Sequence, residues 1–482
     1  MNKKLVLLVL PLILTACSSS NKDKKEEIID DGSHYINEDV TIDFLCMADS
    51  EYHDELQRII DEFKEIEPHV KVNLYNPQGA GSYAMIEKTV IAGFFKEDYP
   101  DLVQCYPDNV VKYLAKGYAV NIDEYLNHKD YGLSAYDKED YISSFIDEGK
   151  QYTVSGTYSL PFCKSTELLY YNADALLGLK LNGINNDKEL DEEYLSDLTW
   201  EELFDNLCPA LKDYNDSLPS EDKIMVDSPE SALFTYDSDE NLFITLANQY
   251  GYGYTSVNNG KPSIDFDNEG MKGVIKTFKE AKDNGYFKTR KSNDGNYVSY
   301  LFQNKKSLFT VASTAGLSYN FNYDEPFKIG ISKIPYASGK EYSSINQGPS
   351  VCILDHFDDN HNRALASYLL WKHMTNEYNS SSWALATGYI GIRNSDYERD
   401  EYKDALVIKD DSNLYDVARA NCLKTIAGIT NDTFNTAVFR GSSNARTNVG
   451  LLVGECLNST DLDNEIDEIF TRYSDDAKSY LV

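Results

Sequence analysis

Arginine is the rarest charged residue in this chain: nine of 45 basic side chains, set against 79 acidic ones, for a formal charge of −34. A surface so poor in positive charge cannot track a phosphate backbone, which excludes nucleic acid as a partner. Anionic lipid headgroups would repel it as well. No apolar run reaches the roughly 18 residues that a membrane-spanning helix needs. Eight cysteines at 17, 46, 105, 163, 208, 352, 422 and 456 contain no CxxC pair and are too widely spaced for a disulfide framework. They are expected to be small buried hydrophobes, Cys17 excepted. Seven histidines show neither HExxH nor any zinc-ligand spacing. The stretch Gly441-Ser442-Ser443-Asn444-Ala445 is one residue short of a GxSxG nucleophile elbow. Asp237-Ser238-Asp239-Glu240-Asn241 begins like a calcium loop, but Leu242 stands where the glycine is needed, so a solvated acidic turn is expected. An anchored glycosidase using two of the many carboxylates stays open as the enzymatic alternative. A lipidated adhesin would call for repeats or a β-rich pattern, and neither is present.

What is present begins at the N-terminus. Lys3 and Lys4 precede an apolar run from Leu5 to Leu14, broken only by Pro11, and then the small residues Thr15 and Ala16. That is the layout of an export signal. Leu14-Thr15-Ala16-Cys17 resembles the bacterial lipobox, at which an exported protein is lipidated on cysteine and cleaved before it. Residues 1–16 are therefore expected to be removed, with Cys17 the lipid anchor. The polar residues 17–39 read as a flexible leash.

The folded part opens with alternation of Val40, Ile42 and Phe44, as in a strand. Asp49 and Ser50 are helix caps, and Leu56, Ile59, Ile60, Phe63 and Ile66 share one helical face until Glu67-Pro68 ends it. VKVNLY (70–75) alternates again, a helix follows Ser82, and PDLVQC (100–105) is a third strand. This order implies parallel βαβ units, whose ligands gather at the carboxyl ends of the strands. Those ends hold Asp49 and Glu51, Ser82 and Tyr83, and Tyr106 and Asp108. Farther on, 199–212 and 271–287 read as helices, 306–320 as a buried strand entering a turn, 345–354 as a strand and 362–375 as an amphipathic helix. Trp371 lies on the apolar face of that last helix and is expected in the core. Trp383 is expected to pack under the Thr387-Gly388-Tyr389 turn, and neither tryptophan is read as a ligand platform.

Several stretches together resemble the extracellular solute-binding proteins of bacterial ABC importers, the family of maltose-binding and glycerol-3-phosphate-binding proteins. They are YPDLVQCYPDNVVKYLAKGYAVNIDEYL (99–126), YSLPFCKSTELLYYNADAL (158–176), LTWEELFDNL (198–207), KKSLFTVASTAGLSYN (305–320), INQGPSVCIL (345–354) and NRALASYLLWKHMTNEYNSSSWALATGYIGIRNS (362–395). The resemblance implies an α/β, periplasmic-binding-protein-like (type II) fold: two discontinuous lobes joined by a hinge, with a ligand cleft between them. The expected division is 40–163 and 344–400 for lobe 1, and 164–343 and 401–482 for lobe 2. It implies no enzyme activity, no cofactor and no metal. The expected partners are a small solute and a transmembrane permease, with a monomer held at the extracellular face through lipid on Cys17. By resemblance Tyr106, Asp108 and Asn109 contact ligand from lobe 1, while Lys164, Ser165 and Thr166 lie at the first crossing. A finer likeness of STAGLSYN (313–320) and FRGSSNARTNVG (439–450) to the glycerol-3-phosphate branch implies a phosphate held by Ser313, Thr314, Gly316 and Arg446, with Gly348 and Tyr389 completing the cleft. A planar guanidinium suits that role. Position 313–314 is Ser-Thr and not a serine pair, and that branch's stacking tryptophan has no clear match. The solute expected is a sugar or oligosaccharide, with a glycerophosphate-type ligand as the alternative.

Overall fold

The computed structural model describes residues 34–47, 50–76, 83–357, 361–409 and 412–481. Cys17, Asp49 and Ser82 lie outside the described residues. Tertiary structure begins before the expected end of the leash: Ile36 is buried, and the N–H groups of Tyr35 and Ile36 donate to the Glu67 carboxylate at 3.1 and 3.2 Å. A buried isoleucine and a two-bond clamp hold residues that composition alone reads as linker.

Two five-stranded sheets organise the chain. The first has the order Val70–Tyr75, Val40–Leu45, Leu102–Cys105, Ser350–Ile353, Leu160–Pro161. Its first three strands are parallel, and Ser350–Ile353 runs antiparallel between Leu102–Cys105 and Leu160–Pro161. The expected strand–helix–strand–helix–strand opening is present, with helices Ser50–Ile66 and Tyr83–Phe94 as the crossovers. One face packs Ile42, Phe44, Leu56, Ile59, Phe63, Leu370 and Trp371, and the other packs Leu45, Ile86, Val90, Val103, Val110 and Tyr113. Each fully buried Leu, Ile or Phe in such a cluster is worth about 1.5–3 kcal/mol of transfer free energy. The Asn362–Met374 helix is buried on more than the one face its pattern suggested, because it is wedged between the first sheet and the helices Ser50–Ile66 and Glu377–Thr387.

The second sheet has the order Ile329–Lys333, Glu167–Asn172, Phe309–Ser313, Phe234–Tyr236, Phe287–Thr289. Along its Glu167–Asn172 strand the side chains alternate between two cores: Leu168 and Tyr170 on one face, Leu169 and Tyr171 on the other. The second face is covered by helices Asp239–Tyr250, Glu269–Asp283 and Ser442–Asn458, the first by Leu414–Ile429. In 199–212 the expected helix forms, but Glu202–Leu207 is a π-type stretch just before Pro209, whose missing N–H breaks the regular ladder.

The two sheets are joined through 163–166 and 344–350. Ser165 and Gln347 exchange both backbone hydrogen bonds at 2.9 Å, and Ile390 N–H donates to the Lys164 carbonyl at 2.7 Å. Gly348 sits at φ +94°, and an added Cβ would run into the Cys163 carbonyl, so only glycine fits. The start of the second crossing is paired as well, Ser344–Ile345 running parallel to Thr433–Phe434. The seven cysteines among the described residues are all buried, and no disulfide joins any two of them. Among the described residues no helix is long and apolar enough to cross a membrane.

Candidate functional site

Between the sheets lies a cavity of about 280 Å³, lined by Cys46, Met47, Tyr52, Tyr83, Gln104, Cys163, Ser313, Ala315, Tyr319, Trp383 and Tyr389. Its floor is held shut by one amide. Gln104 accepts from Met47 N–H at 2.7 Å and the Cys46 thiol at 3.1 Å, and donates to the Cys163 sulfur at 3.2 Å. Its walls are aromatic. Tyr83 meets Tyr106 edge-on at 4.8 Å, Trp383 stacks on Phe162 at 5.0 Å, and Tyr52 approaches Trp383 edge-on at 6.4 Å. Burial pushes the Tyr83 and Tyr389 hydroxyls well above the ordinary phenol range, so both stay protonated. The buried Trp383 indole N–H is turned toward the Cys163 sulfur, which also receives Gln104. A cavity of ring faces and phenol hydroxyls suits a ligand with an apolar face and a hydroxyl rim.

A polar region adjoins these walls at Tyr106. Asp108, in the first turn of the Pro107–Ala115 helix, accepts a short hydrogen bond from the Ser442 hydroxyl of the Ser442–Asn458 helix, and so links the two halves directly. Desolvation raises the Asp108 carboxyl above its ordinary range, against Ser442 and the nearby Arg446 charge, which lower it. Arg446, one turn farther along the same helix, donates to the Asn241 carbonyl. Asn241 in turn donates to Glu167 at 2.9 Å and Gln347 at 2.6 Å, and the Tyr236 hydroxyl donates to Glu167 at 2.5 Å.

Of the residues singled out in the sequence, Tyr83, Ser313 and Tyr389 line the cavity, and Tyr106, Asp108 and Arg446 form the adjoining polar region. Others are occupied by the fold. Asn109 accepts from Tyr106 N–H at 2.9 Å and donates to Glu87 at 2.6 Å, which makes it part of a helix start. The Thr166 hydroxyl donates to the Ile345 carbonyl and pairs with the Ser344 hydroxyl, both at 2.8 Å, and Thr314 donates to the Ser165 hydroxyl at 3.2 Å. These bonds knit the two hinge crossings together. Gly316 gives its carbonyl to Asn320 at 2.8 Å, and Gly348 gives its own to Lys164 at 3.3 Å. Glu51 lies in the first turn of its helix, with its side chain outside the described set. Tyr52, Gln104, Tyr319 and Trp383 line the cavity and were not singled out as ligand groups. The Trp383 ring packs on Phe162 and shares the cavity wall with Tyr389 of the Thr387-Gly388-Tyr389 turn.

Three buried carboxyls give the protein a measurable pH response. Desolvation pushes Glu167 and Asp396 up to about 7 and Asp239 up to about 6. Folded protein therefore holds protons that the unfolded chain has released above its ordinary carboxyl range. The corresponding stability is complete below about pH 4 and is lost as pH rises through 6 to 7. Partly paired acids work the other way: Asp197, held low by its bond to Lys333, loses its contribution as pH falls below the ordinary carboxyl range. The expected result is a melting temperature higher at pH 5 than at pH 8, declining again below about pH 4. A melting temperature that rises steadily from pH 5 to 8 would contradict these assignments.

Comparison with solved structures places this architecture. The chain is similar to UgpB from Mycobacterium tuberculosis, solved with glycerophosphocholine, at TM-score 0.68 and 16% identity, over 92% of this chain and 98% of that one. It is similar to the GacH receptor of Streptomyces glaucescens, solved with acarbose, at TM-score 0.65 and 15% identity, over 92% and 98%. The sugar-binding protein MalE from Xanthomonas citri gives 0.65 and 14%, over 91% and 98%. These likenesses establish a periplasmic-binding-protein-like fold of two α/β lobes. A comparison with curated protein sequences gives no match. The model of the bacterial extracellular solute-binding proteins matches residues 58–409, most of the chain, and the protein belongs to that family.

Proposed function

We propose that this protein captures a sugar or short oligosaccharide in the interlobe cavity and hands it to the permease of an ABC importer. The reading rests on one observation: Tyr83, Tyr319, Trp383 and Tyr389 border a single cavity with ring surface and phenol hydroxyls. Sugars match that mixture, since their C–H faces lie on rings while their hydroxyls need donors and acceptors. The lobes divide at 40–163 with 344–400, and 164–343 with 401–482. The monomeric chain acts at the outer face of the membrane, held by lipid on Cys17. It carries out no chemistry: solute binds the closed arrangement better than the open one, and that differential affinity sets the closure.

Arg446 supports a second reading, a phosphodiester or phosphate of glycerol. A guanidinium near the cavity is a strong oxyanion donor, and among the described residues only one of its N–H groups is committed, to Asn241. A melting panel on the chain without residues 1–33 separates the two, using mono- and oligosaccharides, glycerol-3-phosphate and glycerophosphodiesters at about 1 mM. A micromolar binder at that excess adds about 4 kcal/mol. Shifts with sugars alone support the first reading; a shift with phosphorylated glycerols that disappears in Arg446→Ala supports the second. Tyr389→Ala is expected to weaken the stabilising solute at least about tenfold, or about 1.4 kcal/mol. Unchanged affinity in that variant would remove Tyr389 from the site.

A further inference from the structure

Among the described residues Arg446 is not held by an acid. Its partner is a neutral carboxamide, and that carboxamide is oriented by a buried carboxylate at the hinge. Glu167 is the first residue after the crossing at 163–166 and is almost fully buried, as is Asn241. Asn241 uses its Nδ2 hydrogens on Glu167 Oε1 at 2.9 Å and Gln347 Oε1 at 2.6 Å. With its nitrogen end fixed by two acceptors, only Oδ1 remains to receive Arg446. Gln347 in turn donates to the Ser165 hydroxyl at 3.3 Å and the Thr166 carbonyl at 3.2 Å, so the group is tied to both crossings.

We propose that Glu167 is a positioning residue: through Asn241 it aims Arg446 at the cleft, and protonation of Glu167 releases that aim. This rests on the reading that Arg446 faces the bound solute. Tyr236 donates to Oε2 at 2.5 Å, which leaves Oε1 to take a proton. An O–H there opposes the Nδ2–H of Asn241. The carboxamide then turns over and presents its NH₂ to the guanidinium, which is repulsive. The titratable and charged groups around Glu167 are Tyr236 and Asp237 at the end of their strand, Tyr342 before the second crossing, and Arg446 itself. Burial is the largest influence on Glu167 and carries it to about 7, against Tyr236, Asn241 and Arg446, which favour the charged form. The switch therefore falls at ordinary pH.

The scarcity of arginine makes the test direct, since nine residues give nine signals. Arginine-labelled protein is followed by carbon-detected Nε–Cζ correlations from pH 6 to 8, with the Arg446 signal assigned by its loss in Arg446→Lys. The expected result is a single midpoint near pH 7 for Arg446, absent in Glu167→Gln, which keeps the shape of the carboxylate. Asn241→Leu should shift the signal and also abolish the midpoint, with melting curves showing that each variant is folded. A pH-independent Arg446 signal in the parent protein, or an unchanged midpoint in folded Glu167→Gln, overturns the proposal. Adding glycerol-3-phosphate to the same samples checks the underlying reading separately. If the Arg446 signal ignores it and every panel solute, the reading of Arg446 as a solute contact fails, while the pH result still decides the role of Glu167.

Discussion

Lys164→Met is expected to destabilise the protein by about 3–5 kcal/mol, the cost of leaving a buried charge without its partner. Lys164 is wholly buried, and its ammonium pairs with the Glu148 carboxylate, itself 8% exposed. Glu148 also accepts from Ser350 at 3.1 Å and from Asn346 at 3.4 Å, and Lys164 donates to the Gly348 carbonyl at 3.3 Å. The pair thus joins the Ser143–Glu148 helix to both hinge crossings. Adding Glu148→Gln or Glu148→Leu to Lys164→Met should recover much of the loss, since two apolar or neutral groups can replace a buried pair at little cost. A double-mutant cycle in denaturant measures this. Additive effects would mean that the pair is not coupled and that the hinge is held by backbone bonds alone.

Gly348→Ala should cost about 3 kcal/mol or more and weaken solute capture together with stability. Two penalties combine: a positive φ that L-residues avoid at about 1–2 kcal/mol, and a Cβ forced against the Cys163 carbonyl. Backbone, not a flexible side chain, stands in the way, so the crossing itself has to move. Since 344–350 also carries Gln347, the shift would disturb Asn241 and Arg446. An alanine variant with parental melting behaviour would show that the strand relaxes freely.

Much of the first lobe was legible in residues 40–105 because each element carried its own signal. Alternation marked the strands, helical spacing marked Ser50–Ile66, and Glu67-Pro68 marked its end. The second sheet was harder to read. Three of its strands have five or six residues and two have three, and in Glu167–Asn172 all six are buried, so no alternation of polar and apolar residues remains. The site divided in the same way. Tyr83, Tyr106 and Asp108 were readable as candidates because they follow strands of parallel units, and Arg446 and Tyr389 through family resemblance. Trp383, Tyr52 and Tyr319 come together only in three dimensions, from segments more than 60 residues apart in sequence. Glu167 did leave a trace, an acidic residue opening a fully buried strand. Hinge residues such as Thr166, Thr314 and Gly348 share their types with ligand-binding loops, and only their hydrogen bonds distinguish the two roles.

The cavity claim can be tested through its own wall. Trp200 and Trp371 are buried in the cores of their lobes, whereas Trp383 borders the cavity. Titrating the protein with a linear maltooligosaccharide series while recording tryptophan emission reports on that one ring. The account predicts a saturable change with at least one member of the series, lost in Trp383→Phe while the melting shift persists in weakened form. Saturable binding with unaltered emission, or an emission change that survives in Trp383→Phe, would place the solute elsewhere and contradict the site described here.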